Sequence, residues 1–222
     1  LPLKDRTLIW HLYEAAIAGR DIYYDQRYAH GLEMRDVIEA VLTHGAGVAP
    51  ETLAEIQRYA KLFWINSGPY GNLTTQKFVL KCTPEAFAAA VKGAAAAGAA
   101  FPVTSGETTD QMLARMKPLF FDESFEPSVT VKTPPAGQDI LSASHNNLYV
   151  GVTMKDLKGF TEKYGLNSRL VKKDGKLVEE VYRVGGRYDA QLADVVKHLE
   201  AAADLATEPM AKALRALAQW YR

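Results

Sequence analysis

Apolar residues recur at helical spacing near both ends of this chain, whereas the middle of the chain reads as strands. In residues 50–64, for example, one helical stripe is formed by Leu53, Ile56, Ala60 and Phe63, as the 3.6-residue period of an amphipathic helix requires. The middle contains the β-branched or alternating runs PSVTVKTPP, NNLYVGV and SRLVKKDGKLVEEVYRV. This succession predicts an α+β fold, a mostly helical lobe with a small antiparallel sheet or partial β-barrel in the middle.

The same change of pattern predicts three consecutive segments. Residues 1–128 are expected to form a helical N-terminal part, residues 129–188 a small β-rich part with one inserted helix, and residues 189–222 C-terminal helices. Each amphipathic helix has an apolar face that needs a partner, so the helices of a segment are expected to pack together.

Two local signals lie inside the β-rich part. Asp174 and Gly175 separate two strand-like runs, and Asp-Gly in that position is a strong hairpin signal. The inserted helix is predicted from Thr153 to Tyr164. There Thr153 and Asp156 resemble a capping box, and the following Gly165 is typical of a helix end.

Charge and hydropathy exclude two classes of partner. Lys plus Arg and Asp plus Glu are both 26, so the chain lacks the basic excess expected of a nucleic-acid binder. The alanine-rich stretch of residues 86–100 is interrupted by Lys92 and two glycines. No apolar run approaches the roughly 20 residues of a spanning helix. We therefore expect no nucleic acid and no membrane span.

The single cysteine, Cys82, cannot form an internal disulfide, so nothing demands an oxidising compartment. We expect a cytoplasmic protein, and removal of a signal peptide is the alternative that stays open. The chain begins at Leu1 rather than at Met and ends in mid-pattern at Arg222. We therefore expect it to be a fragment, cut by proteolysis or by design.

The usual catalytic and metal motifs are absent. The chain has five histidines, namely His11, His30, His44, His145 and His198. None stands in a His-Glu-x-x-His or Cys/His spacing that would bring two ligands to one zinc ion. Asp139, Ser142 and His145 could be drawn as a hydrolytic triad, but no Gly-x-Ser-x-Gly turn exposes the serine. We expect no catalytic residue and no metal site within this chain.

The stretch KLFWINSGPYGNLTTQKFVLKC, residues 61–82, is the best candidate for binding. Asn66 and Asn72 offer amide groups that can pair with an extended peptide backbone, Gly68 allows close approach, and Tyr70 combines an apolar ring with a polar hydroxyl. Such groups suit peptide recognition. The alternative is a buried corner between a helix and a loop.

Three blocks of the chain carry, in order, a resemblance to a known family. They are LYEAAIAGRDIYYDQRYAHGLEMRDVIEAVL, FWINSGPYGNLTTQKFV and VTMKDLKGFTEKYGLNSRLVKKDGKLVEEVYRV. The second has the aromatic helix end, the Asn-x-Gly turn and the Lys-Phe-Val that succeed one another in dipeptidyl peptidase III enzymes. The third has a Thr-Met-x-Asp start and an Asn-x-Arg-Leu element. Together the blocks resemble the N-terminal lobe of that family.

The resemblance implies a zinc-dependent exopeptidase of two lobes that removes dipeptides from the N-termini of short peptides. The family's zinc ligands, a His-Glu-x-x-x-His helix and a later glutamate, belong to the other, C-terminal lobe, so zinc and that missing lobe are implied partners of this chain. Asn66, Gly68 and Tyr70 match the family's turn. Leu73 stands where some members place an aromatic residue that lines the substrate subsites, which leaves the nature of that subsite open.

The side-chain chemistry of residues 61–82 and the family resemblance together predict a set of substrate-binding residues. Its members are Asn66, Gly68, Tyr70, Asn72 and Leu73. The chain alone is expected to be inactive, with a short peptide as the substrate of the intact enzyme. The alternative hypothesis is a non-catalytic peptide-binding or scaffold domain that shares only this lobe.

Overall fold

Contacts between residues divide the chain into two compact units. The computed structural model describes residues 1–222, which form eight helices and three short strands. The first unit combines the two ends of the chain, Leu1–Gln26 and Asn147–Arg222, and the second is the continuous stretch Arg27–Asn146. The first unit is thus discontinuous in sequence.

The second unit is helical. Its helices are α2 (Gly31–Thr43), α3 (Pro50–Asn66), α4 (Pro84–Ala96), α5 (Thr109–Phe121) and the short α6 (Ile140–Ala143). Several begin at recognisable caps. The hydroxyl of Thr83 accepts a hydrogen bond from the amide of Ala86, and Thr108 forms a reciprocal capping box with Gln111, as side chains at helix starts commonly do.

Aromatic rings fill the core of the second unit. The ring of Tyr59 lies 5.9 Å from that of Phe120, and Phe120 lies 5.0 Å from Phe87, measured between centroids. These three residues come from α3, α5 and α4, and all are buried together with Ile56 and Phe63. The apolar stripe predicted for α3 therefore faces the core.

The first unit contains the long helix α1 (Leu3–Arg27) except for its last residue, the helices α7 (Asp189–Leu205) and α8 (Met210–Trp220), and the sheet. The side chains of Ala15, Val195, Leu199 and Ala218 form a buried apolar cluster between the three helices. A backbone hydrogen bond of 3.0 Å from the amide of Asn147 to the carbonyl of Gln26 joins the two points where the chain leaves and re-enters this unit.

The sheet is mixed, with strands β1 (Tyr149–Val150), β2 (Ser168–Lys173) and β3 (Lys176–Val181) in that order. β2 and β3 are antiparallel, whereas β1 pairs with β2 in parallel. The predicted antiparallel arrangement therefore holds for the hairpin alone. The hairpin itself is confirmed: Asp174 and Gly175 both have positive φ, 49° and 76°, which is the conformation of the two central residues in a type I′ turn.

Two elements predicted in the middle of the chain take another form. Between Thr153 and Tyr164 there are successive turns in place of a helix. The capping contacts are present, because Thr153 and Asp156 exchange hydrogen bonds. However, Gly159, three residues after Asp156, has φ +82°. A left-handed conformation at that position prevents a helix from continuing. The run of residues 127–135 forms no strand, apart from one bridge between Ser128 and Gln76.

The overall class agrees with the prediction, since the chain is α+β and mostly helical with one small sheet. None of the eight helices combines the length and the apolar composition that a membrane-crossing helix needs.

Candidate functional site

The predicted binding residues lie together in the second unit: Asn66 is the last residue of α3, and the others lie in the loop that follows, residues 67–77. The helix ends because Ser67 adopts a left-handed conformation, φ 52° and ψ 46°, and its amide bonds to the carbonyl of Trp64. Gly68 comes next with φ 142° and donates its amide to the carbonyl of Phe63 at 3.0 Å. A Cβ on Gly68 would be strained at that φ and would come within 3.9 Å of Arg27, so the turn favours glycine there.

The two asparagines of the predicted set fix the loop to the end of α3. The Asn66 side chain accepts a hydrogen bond from the backbone amide of Asn72 at 2.8 Å and donates one to the carbonyl of Leu62, also at 2.8 Å. Asn72 in turn donates from its side chain to the carbonyl of Ile65 at 3.4 Å. Their amides therefore hold the loop conformation in the free protein.

Tyr70, predicted to offer a polar tip to a ligand, is completely buried. Its hydroxyl donates to the carbonyl oxygen of Glu126 at 2.9 Å, and its ring stands perpendicular to that of Tyr28, with centroids 5.2 Å apart. Tyr70 pairs with Lys77 in an isolated antiparallel bridge, and the side chains of both residues are buried. Tyr70 is thus placed to support the loop, and its own side chain is closed to solvent.

Lys77 is a residue whose role the sequence did not suggest. Its ammonium donates to three backbone carbonyls, those of Pro118, Asp122 and Phe125, at 2.8 to 2.9 Å. Burial lowers the pKa of Lys77 to about 8, while the charges of Glu126 and Asp122 act in the opposite direction. The available signal was the position of this lysine directly before the apolar run FVL, because a lysine is buried only when its amine is paired.

A second buried polar contact lies beside the loop. The hydroxyl of Tyr28 donates to the Glu126 carboxylate, and the Nδ1 of His145 lies 3.8 Å from the same carboxylate. Burial raises the pKa of the Tyr28 hydroxyl far above its usual value and lowers the pKa of His145. Tyr28 therefore stays neutral and acts as a hydrogen-bond donor, which holds the segment around Glu126 in place.

The tip of the loop, residues 72–74, is exposed. Leu73 is 100% accessible to solvent, and Ile65, next to the Asn66–Asn72 contact, is 76% accessible. Trp64 is partly exposed and its indole nitrogen donates to Glu39 at 3.0 Å. Leu73 on the loop and Ile65 at the end of α3 thus present two large apolar side chains to water.

The other candidates have structural roles. Asp139 accepts amide hydrogen bonds from Leu141 and Ser142 as the cap of α6. This capping role explains Asp139 and Ser142, two of the three residues considered as a hydrolytic triad. Cys82 is half-buried, and burial raises the pKa of its thiol, so the reactive thiolate is disfavoured. In the 222 residues no three His, Cys, Asp or Glu side chains lie together as ligands for a metal ion.

The Asn-x-Arg-Leu element lies in the first unit, where it supports the sheet. Arg169 donates to Glu180 across the hairpin at 2.7 Å and to the side chain of Asn147 at 2.6 Å. Leu170 is buried, and the carbonyl of Asn167 accepts from the amide of Tyr182 at 2.8 Å. Asn167, Arg169 and Leu170 therefore have a structural role in the sheet.

Comparisons with known proteins give a match at the level of fold. No protein-family model and no curated protein matches the chain. Among solved structures, dipeptidyl peptidase III (DPP III) from Caldithrix abyssi is similar over 100% of this chain and 31% of its own, with 20% identity and a TM-score of 0.52. The chain thus spans about a third of the length of that protein. The resemblance to dipeptidyl peptidase III seen in the sequence is confirmed by a shared fold.

Proposed function

We propose that this chain is the peptide-gripping lobe of a zinc-dependent dipeptidyl peptidase, which releases dipeptides from the N-termini of short peptides. The observation that carries the proposal is the fold match along the whole chain to about a third of DPP III. The three sequence blocks that resemble this family occur in the same order along the chain, which supports the same assignment.

The division of work within such an enzyme depends on the groups that this chain contains. Its residues offer no cluster of metal ligands, so in the proposed enzyme zinc is held by residues outside this chain. When bound there, zinc would supply an activated water and polarise the scissile carbonyl. The contribution of this chain is to bind and orient the peptide.

The loop of residues 67–77 is the proposed gripping element. Its base is fixed by the Asn66–Asn72 contact and by the buried Tyr70, so little conformational entropy is lost when a ligand binds. Leu73 at the tip is exposed and would contact a side chain of the peptide, and the exposed Ile65 would extend that apolar surface. Gly68 and Tyr70 act through the loop conformation.

The test uses the full-length protein that contains this chain, incubated with short peptides. Mass spectrometry is expected to detect dipeptides released from the N-terminus, whereas the 222-residue chain alone releases none. Leu73→Ala is expected to raise KM about three- to tenfold with kcat nearly unchanged, because it removes binding that is equal in the ground and transition states.

Leu3→Ala is the matched control, since Leu3 is also largely exposed but lies on α1. It is expected to leave both kinetic constants unchanged. Peptide binding without any dipeptide release by the full-length protein would favour the non-catalytic binding domain. Release by the chain alone, or stoichiometric zinc in it, would contradict the proposed division between lobes.

A further inference from the structure

One face of the helix α8 is apolar and faces solvent. Its residues recur at alternating steps of three and four, and all are exposed: Met210, Ala213, Leu217 and Trp220. The largest of them, Trp220, is 58% accessible. These four residues, which we call the outer seam, have the spacing with which one helix packs against another.

α8 also has an inner face, which already packs within the chain. Ala211 and Ala218 are buried, and Leu214 and the following Tyr221 pack against the apolar cluster of the first unit. A helix on a protein surface is held to its core by one apolar stripe, about 100° wide or more, with polar residues opposite. The outer seam is a second stripe, in excess of what the packing of α8 within this chain requires.

The outer seam contains no charged residue. The charged residues of α8 lie elsewhere on the helix, and Arg215 among them is paired with Asp204 at 2.9 Å. A polar or charged surface placed on the seam would lose hydration without gaining a partner, which is unfavourable. The chemistry therefore selects an apolar partner surface.

The size of the outer seam favours a tethered partner over a separate molecule. α8 has 11 residues, so it is about 16 Å long. A seam of that length covers much less than the roughly 800 Å² per partner of a stable interface between separate proteins. A segment of the same polypeptide needs less contact area, because tethering gives it an effective concentration in the millimolar range.

The fold comparison indicates where such a segment comes from. The chain matches 31% of DPP III, so in the enzyme proposed above about two thirds of the polypeptide lies outside this chain. Domains of one polypeptide are joined through contacts that commonly bury roughly 600–1,500 Å². An apolar helix face without a partner in its own unit is suited to form part of such a contact.

We propose that the outer seam of α8 docks an apolar helix from the part of the same polypeptide that lies outside residues 1–222. That helix presents apolar side chains at three- and four-residue spacing, which interdigitate with Leu217 and Trp220 and exclude water from them. The inference rests on the proposed function, which supplies the remaining polypeptide. It goes beyond that function by assigning the surface through which this chain is joined to the rest.

The experiment measures hydroxyl-radical oxidation of Trp220 in the full-length protein, native and unfolded in urea, by mass spectrometry of its peptides. A docked seam excludes water, so folding is expected to slow the oxidation of Trp220 at least about tenfold. An open seam leaves Trp220 58% accessible, and folding would then slow oxidation only in proportion to the surface lost. Protection of that lower degree overturns the proposal.

Three variants of the full-length protein locate the protection on the outer seam. Leu217→Lys and Ala213→Lys each place a charge in the seam and are expected to raise Trp220 oxidation in the native protein at least about fivefold. Gln219→Lys is the matched control, since Gln219 is also exposed on α8 but lies outside the seam. It is expected to keep the protection of the wild type. Trp220 that stays protected in both seam variants, with circular dichroism showing them folded, overturns the proposal.

Other occupants of the seam give distinct results. Protection that is lost on dilution, with a change from dimer to monomer in light scattering, would identify a second copy and overturn the proposal. Protection that appears only when vesicles of anionic phospholipid are added would identify a lipid surface and overturn it as well. Dipeptide release by a full-length protein whose Trp220 is unprotected would overturn this inference alone. Protection without dipeptide release would support the docking surface and contradict the proposed function.

Discussion

Arg27 donates a hydrogen bond from Nη2 to the carbonyl oxygen of Tyr70, at 2.7 Å. The same tyrosine is held at its other end by the carbonyl of Glu126, which accepts from its hydroxyl. Backbone and side chain of one residue are thus fixed by separate parts of the second unit. The exposed tip of the loop therefore stands on a base that is ordered without a ligand, which is what preorganised binding requires.

Lys77→Met is expected to destabilise the chain by about 1–3 kcal/mol, because the carbonyls of Asp122 and Phe125 lose the donor that the ammonium supplies. Urea unfolding monitored by circular dichroism measures this change. Lys81→Met, an exposed position nearby, should differ from the wild type by less than about 0.5 kcal/mol. Equal stability of both variants would show that the Lys77 contacts contribute nothing net.

Two Gly→Ala substitutions are expected to have opposite signs. Gly68→Ala places a Cβ at φ 142°, in a region that only glycine enters easily, and should cost about 1–3 kcal/mol. Gly93→Ala lies inside α4, where an added Cβ meets nothing within 4 Å. It should raise stability by about 0.5–1 kcal/mol through helix propensity. Thermal unfolding of the two variants gives the comparison, and a stabilising Gly68→Ala would contradict the turn described above.

Asn66→Ala removes the acceptor of the Asn72 amide and should speed hydrogen exchange at that amide at least tenfold. A loss of about 1 kcal/mol in stability is expected with it, as for a typical hydrogen bond. Gln138→Ala, at an exposed loop position, is the control and should leave the exchange of Asn72 unchanged. Unchanged exchange in Asn66→Ala would mean that the loop is held by other contacts.

The Asp156 carboxylate should contribute to stability in a pH-dependent way. A hydrogen bond from Lys172, together with weaker contributions from Thr153, lowers the pKa of Asp156 from 3.8 to about 2. Since the folded-state pKa is the lower one, the contribution is complete above about pH 4 and is lost as the pH falls towards 2. Wild type should therefore exceed Asp156→Asn in stability at pH 7, and the difference should shrink between pH 4 and 2.

Denaturant unfolding of wild type and Asp156→Asn across this pH range checks the prediction. In a Lys172→Met background the substitution should have a smaller effect at pH 7, because the main cause of the shift is gone. If wild type and Asp156→Asn differ in unfolding free energy by the same amount from pH 7 to pH 2, the lowered pKa of Asp156 does not contribute to stability.

Local patterns account for the features that could be predicted from the sequence. The hairpin at Asp174–Gly175 and the capping contacts of Thr153 with Asp156 depend on neighbouring residues alone. Capping contacts do not determine the length of the helix that they begin, and the helix expected after Thr153 is replaced by turns once Gly159 takes a positive φ. The start of such an element is therefore predictable from its neighbours, whereas its continuation is not.

The candidate loop shows the other limit. The sequence indicated that residues 66–73 act together, and they do lie together. It could not indicate that Tyr70 faces inwards, because its partner Glu126 is distant in the chain. The same is true of Lys77, whose three acceptors belong to residues 118–125. Pairings of this kind depend on how helices pack, which no short spacing encodes.

The hydrogen bond between Gln26 and Asn147 has a consequence for the order of assembly. These residues begin and end the excursion that the chain makes to build residues 27–146. Bringing them together while the excursion is still a flexible coil costs the entropy of closing a very long loop. If residues 27–146 fold first, the loop that has to be closed is effectively shorter. The two terminal segments of the polypeptide are therefore expected to join last, after residues 27–146 have folded.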